Sequence, residues 1–115
     1  RETENLITRE RLGLLKKTSV LINVGRGSVL DQEALMDLLN SGKIAGAALD
    51  VTTPEPLPAD HPLWHTKNLI ITPHVSGNMS LDITCDLDVS IFCDNLTRYC
   101  RKQPMKHVVE RSVGY

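Results

Sequence analysis

The sequence is short of charge imbalance, long apolar runs, paired cysteines and aromatic residues, and each shortage narrows what the chain can do. Lys and Arg number 13 against 14 Asp and Glu, for a formal net charge of −1. A near-neutral chain has no electrostatic reason to take nucleic acid or an anionic membrane as partner. No apolar run reaches the length of a bilayer span, and nothing at the start has the pattern of a signal peptide. Cys85, Cys93 and Cys100 form no C-x-x-C pair, so no metal is expected from them. They fall near one stripe of a helix, which reads as small core hydrophobes in a reducing, cytoplasmic setting. Aromatic content is 3% beside an ordinary hydrophobic content of 41%. Repeats, low-complexity tracts and internal linkers are also missing.

What is present is an alternation of helical and strand patterns. Thr8 can cap a helix running to about Lys17, with Leu12 and Leu15 inward and Lys16 and Lys17 at its C-terminal end. Ser19–Val24 is an almost wholly apolar strand, as expected when helices cover both of its faces. Gly25 and Gly27 allow a tight turn around Arg26. Asp31 caps a helix over Gln32–Asn40 that turns Ala34, Leu35, Leu38 and Leu39 to the sheet and stops at Gly42. Ile44–Val51 is the next strand, Thr52–His65 a proline-rich loop and Asn68–Thr72 a third strand. Ser80 caps a long helix to about Arg101, and Val108–Tyr115 is an irregular tail.

Such an order implies parallel strands with right-handed crossovers. With 115 residues and no strand ahead of its first helix, the chain reads as the C-terminal portion of a doubly wound, Rossmann-type α/β sheet that ends in a long helix. It is expected to be the second half of a nucleotide-binding domain and not a whole protein.

Three residues stand where open α/β sheets bind ligands, just beyond the carboxyl ends of strands. They are Arg26 in Val20-Leu-Ile-Asn-Val-Gly-Arg-Gly27, Glu55 after Ala47-Ala-Leu-Asp-Val-Thr-Thr-Pro54, and His74 after Leu69-Ile-Ile-Thr-Pro73. A fixed cation, a carboxylate and an imidazole are what reduction of an acidic carbonyl compound needs. The cation holds the carboxylate, and the imidazole gives up a proton as hydride arrives. Each residue also has a plainer reading. Arg26 could be a turn residue, Glu55 a solvated loop charge, His74 a hydrogen-bonded core histidine and Asp50 a cap or turn former. His61 and His65 stand four apart, but Pro62 and the loop context oppose a metal pair. Trp64 reads as an anchor for the proline-rich loop, and the acidic face of the last helix as solvated surface.

The segments Leu21-Ile-Asn-Val-Gly-Arg-Gly27, Leu38-Leu-Asn-Ser-Gly-Lys-Ile-Ala-Gly-Ala-Ala-Leu-Asp-Val51, Pro54-Glu-Pro56, His61-Pro-Leu-Trp64 and Ile71-Thr-Pro-His-Val-Ser-Gly77 resemble the D-isomer-specific 2-hydroxyacid dehydrogenases. The nearest flavour is the glyoxylate/hydroxypyruvate reductase and formate-dehydrogenase-like branch. Asn95-Leu-Thr-Arg-Tyr99, Val108-Val-Glu110 and Gly114-Tyr115 also look like the C-terminus of such enzymes. The resemblance implies an NAD- or NADP-dependent oxidoreductase that interconverts a small 2-oxo acid and a D-2-hydroxy acid, a homodimer as the parent protein. Arg26 would grip the substrate carboxylate and reacting oxygen. His74 would be acid in reduction and base in oxidation, and Glu55 would fix its tautomer and keep it able to carry a proton near neutral pH. Asp50 would meet the nicotinamide carboxamide, and Val24, Gly25, Arg26, His74 and Gly77 would line the nicotinamide site. Residues 1–79 would be the C-terminal half of the dinucleotide domain. Residues 80–115 would be a helix and tail returning toward the substrate domain.

The sequence departs from the family pattern in lacking the G-x-G-x-x-G turn, the ribose-reading residue and the substrate domain. Its last helix carries Asp82, Asp86, Asp88 and Asp94, with few aromatic or basic residues in its early turns. Two other outcomes fit the same residues. One is an NAD(H)-sensing scaffold like the C-terminal binding protein corepressors. The other is a truncated relative without catalysis of its own; the 115-residue chain alone is expected to be inactive.

Overall fold

The computed structural model describes residues 3–77 and 81–112. The chain divides into two compact units, residues 1–76 and 77–115. In the first, α1 (Arg9–Leu12), β1 (Val20–Asn23), α2 (Gln32–Asn40), β2 (Gly46–Leu49) and β3 (Leu69–Ile71) follow in order. Short 3-10 turns lie at Gly27–Val29 and Pro62–His65. The second unit is built on α3 (Asp82–Cys100).

The strands form one parallel sheet in the order β1-β2-β3. Val20 pairs with Gly46, Asn23 with Leu49, and Leu49 with Ile71. Parallel register brings all three strand ends to one edge, so the segments that leave them are neighbours. Bonds beyond the strands extend the ladder: Ala45 N–H donates to the Ser19 carbonyl, and Asp50 N–H to that of Asn23, each at 2.9 Å.

The core of this unit is aliphatic. Leu12 of α1, Ala34, Leu35 and Leu39 of α2, and Leu30, Ile44, Ala47, Leu49 and Leu63 form one buried cluster, with Leu21, Leu69 and Ile71 packed against it. Each fully buried leucine contributes about 1.5–3 kcal/mol. Asp31 caps α2 by accepting from the Ala34 N–H at 2.9 Å. Gly42, at φ +66°, ends it in the left-handed conformation that favours glycine.

Three expectations are corrected. The first helix is a single turn that ends at its cap Gly13, because only Leu12 finds the core; Leu14 and Leu15 are exposed. β1 is not covered on both faces. Val20 and Ile22 are 62% and 68% exposed, as is Ile70 of β3 at 66%, because the helices of this unit pack on the opposite face. The cysteines are not core residues. Cys93 and Cys100 are exposed and Cys85 is half-buried, on a helix that has no buried residue. The strand cores are also shorter than their apolar runs, Gly46–Leu49 within 44–51 and Leu69–Ile71 within 68–72. Ser80, the expected cap of the long helix, and the tail end Gly114-Tyr115 lie outside the described residues.

Candidate active site

Asp50 follows β2 directly, and its side chain is buried. Its Oδ1 accepts from the Thr72 hydroxyl at 2.5 Å and from the Val75 N–H at 2.9 Å, and its Oδ2 accepts from the Ser76 N–H at 2.8 Å. These bonds reach from the end of β2 into the turn after β3. The Thr72 bond, then the two backbone N–H bonds, hold the carboxyl well below its ordinary value of 3.8, against desolvation that pushes the other way. Asp50 caps or turns nothing locally: its bonds brace a turn 22 to 26 residues away.

His74 sits inside that turn at φ +54°, and its N–H donates to the Thr72 carbonyl at 3.0 Å. A left-handed non-glycine residue costs about 1–2 kcal/mol and needs outside support. The Asp50 bonds on either side supply it. The imidazole then meets Glu55, with Nδ1 2.7 Å from Oε1. Against an ionised carboxylate, which only accepts, Nδ1 is the nitrogen that donates. Both side chains are about 40% exposed, 44% for His74 and 39% for Glu55. A pair that open contributes little to stability; what it fixes is the direction of the ring.

Glu55 lies in the proline-rich loop, with a cis peptide bond on each side of the Pro54-Glu55 dipeptide. Gln32, the first residue of α2, holds the loop. Its side-chain Nε2 donates to the Thr53 carbonyl at 2.5 Å, and its Oε1 accepts from the Thr53 N–H at 2.8 Å. The Trp64 indole N–H donates to the Pro58 carbonyl at 2.8 Å, which makes Trp64 the loop anchor its sequence context suggests. Asp50, Thr52, Glu55, Trp64, Thr72 and His74 are among the residues around a depression of about 230 Å³.

Arg26 stands on the adjacent strand end. Asn23 braces its turn, donating from Nδ2 to the Arg26 carbonyl at 3.0 Å and accepting the Gly25 N–H at 3.1 Å. A Cβ on Gly27 would lie 2.1 Å from the Thr52 carbonyl oxygen, so only glycine lets this turn press against the loop that leads to Glu55. The Arg26 guanidinium is exposed and donates to the Gly25 carbonyl at 2.8 Å; it does not border the depression. Glu55, His74 and Asp50 are thus brought together, and Arg26 is brought only to the neighbouring loop. Val24, Gly25 and Gly77 are all exposed. A Cβ on Gly25 would make only an ordinary 3.6 Å contact, and one on Gly77 would meet nothing within 4 Å. Among the described residues nothing in the packing requires glycine at Gly25 or Gly77.

His61 caps the turn at Pro62–His65, its Nδ1 accepting from the Leu63 N–H at 3.1 Å. Among the described residues no group of three or more His, Cys, Asp or Glu is placed to hold a metal ion. None of their helices is long and apolar enough to cross a membrane.

Residues 1–76 match the family model described as D-isomer specific 2-hydroxyacid dehydrogenase, NAD binding domain. The chain belongs to this family. It is 53% identical over 77 residues to a glyoxylate reductase of Thermofilum pendens, an alignment covering 67% of this chain and 23% of the relative. It is 51% identical over 75 residues to the human glyoxylate reductase/hydroxypyruvate reductase, covering 65% and 23%. The chain spans about a quarter of the length of the curated relatives it matches (25%, 23% and 23%). A D-isomer specific 2-hydroxyacid dehydrogenase from Xanthobacter autotrophicus Py2, solved with NADPH and MES, superposes with a TM-score of 0.79 at 38% identity. That match covers 99% of this chain and 46% of the other. An NADPH-dependent glyoxylate/hydroxypyruvate reductase from Sinorhizobium meliloti, solved with citrate, superposes with a TM-score of 0.66 at 36% identity, covering 85% and 30%.

Proposed function

We propose that the protein carrying this chain interconverts a 2-oxo acid and a D-2-hydroxy acid, with a nicotinamide dinucleotide as hydride donor or acceptor. The observation that carries the proposal is the 2.7 Å contact between His74 Nδ1 and Glu55 Oε1 on a braced turn. His74 is the general acid in reduction and the base in oxidation, working through Nε2. Glu55 holds the ring in place through its contact with Nδ1. Arg26 turns its guanidinium fork to the substrate carboxylate and the reacting oxygen.

The residues fit a nicotinamide. Gly25, exposed just beyond β1, leaves room for the ring, and the Asp50 carboxylate just beyond β2 is the group a carboxamide N–H would meet. When bound, the cofactor supplies or takes the hydride. Glyoxylate and hydroxypyruvate are the substrates to test first, because relatives bear those names. In this reading residues 1–79 complete a dinucleotide domain, and residues 80–115 return toward a substrate domain of a cytoplasmic homodimer. Titration of the full-length protein with NADH and NADPH separates the two cofactors.

The test is kinetic. In the full-length protein, His74→Ala lowers kcat by about two to four decades, and Arg26→Ala raises KM for the oxo acid. Wild-type rates in His74→Ala would overturn the assignment. Dinucleotide binding without turnover of any 2-oxo acid would move the reading to a scaffold.

A further inference from the structure

We propose that Gln32 is a positioning residue for the Glu55–His74 pair, acting through the backbone of Thr53; the proposal rests on the reading of that pair given above. Gln32 comes from a different element than either partner. It opens α2, and its side chain crosses to the proline-rich loop to make both backbone hydrogen bonds of Thr53, at 2.5 and 2.8 Å. This is the pairing a neighbouring β-strand would make, supplied by one primary amide. The loop at this point has left the sheet: Thr53 has no ladder partner, and the next two odd-numbered positions are Glu55 and Leu57.

The rest of the loop's support does not duplicate this clamp. The Thr52 hydroxyl bonds within the loop, to the Pro54 carbonyl at 3.0 Å, and Trp64 ties a later residue, Pro58. Thr53 is two residues from Glu55, so a shift of its backbone is passed along a short, proline-restricted path to the carboxylate. A helix N-terminal residue has no need of a bidentate side-chain bond to a loop 21 residues away for its own sake. The amide is also specific. A glutamate keeps an acceptor for the Thr53 N–H but sets a carboxylate against the Thr53 carbonyl. A methionine keeps the volume and loses both bonds.

The experiment uses the full-length protein and the pH profile of kcat/KM for oxo-acid reduction. Glu55→Gln, Gln32→Ala, Gln32→Met and the Gln32→Ala/Glu55→Gln double variant are compared, with thermal melts to confirm folding. Glu55 touches the His74 ring at 2.7 Å, so Glu55→Gln moves the limb governed by His74. Gln32→Ala and Gln32→Met move the same limb part of that way and lower kcat by about one to two decades. In the double variant the Gln32 effect disappears, because no carboxylate is left to position. A limb moved by Glu55→Gln but untouched by both Gln32 variants overturns the brace alone. So does a Gln32 effect that persists in full without Glu55. A limb that Glu55→Gln itself leaves in place overturns the Glu55–His74 reading, and the brace falls with it.

Discussion

The turn that carries His74 is tied down by a buried carboxylate, whereas the loop that carries Glu55 is tied by a half-buried neutral amide. Asp50 collects the Thr72 hydroxyl and the Val75 and Ser76 N–H groups on both of its oxygens. Gln32 makes a donor–acceptor pair with Thr53 alone. Bonds to an ionised acceptor are roughly twice as strong as neutral ones, and the His74 turn needs the stronger tie because its backbone is left-handed. Of the two sides of the contact, the imidazole has the stronger tie beneath it and the carboxylate the weaker.

The largest expected effect breaks the stronger tie. Asp50→Ala strands the Val75 and Ser76 N–H groups and the Thr72 hydroxyl, releasing the turn that sets His74. In the full-length protein kcat is expected to fall by about two to four decades, comparable with loss of the imidazole itself. Rates for Asp50→Ala and Gln32→Ala measured side by side decide the matter. Equal losses would erase the contrast between the two ties.

A milder way to sharpen it is acid. The folded state holds the Asp50 carboxyl below its ordinary 3.8, so the group contributes stability that is fully present above that value. The contribution is lost as pH falls below about 4 toward the depressed value, where the carboxylate takes up its proton. Thermal midpoints of the full-length protein are expected to drop across that window. Asp50→Asn, which cannot titrate, is expected to show a flatter dependence there, while Gln32→Ala keeps the wild-type slope from a lower starting point.

Much of this arrangement was legible in the sequence, and the illegible part has a common cause. Glu55, His74 and the α2 boundaries Gln32–Asn40 follow from local signals: a strand end, a cap, an apolar stripe, a glycine stop. The long-range braces do not. Nothing near Gln32 announces that it will serve Thr53, and nothing near Asp50 announces Ser76, since each bond joins residues 21 or 26 positions apart. One trace was available. Asn23 and Asp50 are polar residues closing apolar strands, and a polar group there needs a partner once the strand is buried. The exposed Val20, Ile22 and Ile70 mark the other limit, because an apolar run shows that a face can be covered without saying which part of a protein covers it.

The smallest effect concerns the third strand end, where Asn23 does for Arg26 what Gln32 does for Glu55. Its amide spans a turn of only three residues, with one bond to the Arg26 carbonyl and one to the Gly25 N–H, at 3.0 and 3.1 Å. A short turn has few conformations to lose, and both bonds lie near solvent, so water replaces them at modest cost. Asn23→Ala is therefore expected to cost about 0.5–1.5 kcal/mol of stability, the net worth of an ordinary hydrogen bond. Its kinetic signature differs from those of the other two braces. In the proposed role Arg26 holds the substrate carboxylate and the reacting oxygen but passes no proton, so its displacement raises KM for the oxo acid several-fold, lowers kcat less than loss of His74 does and does not move the pH profile. A KM that stays put while kcat falls would mean that the Arg26 turn is coupled to the Glu55–His74 pair, through the close approach of Gly27 to Thr52. The three strand ends would then act as one device.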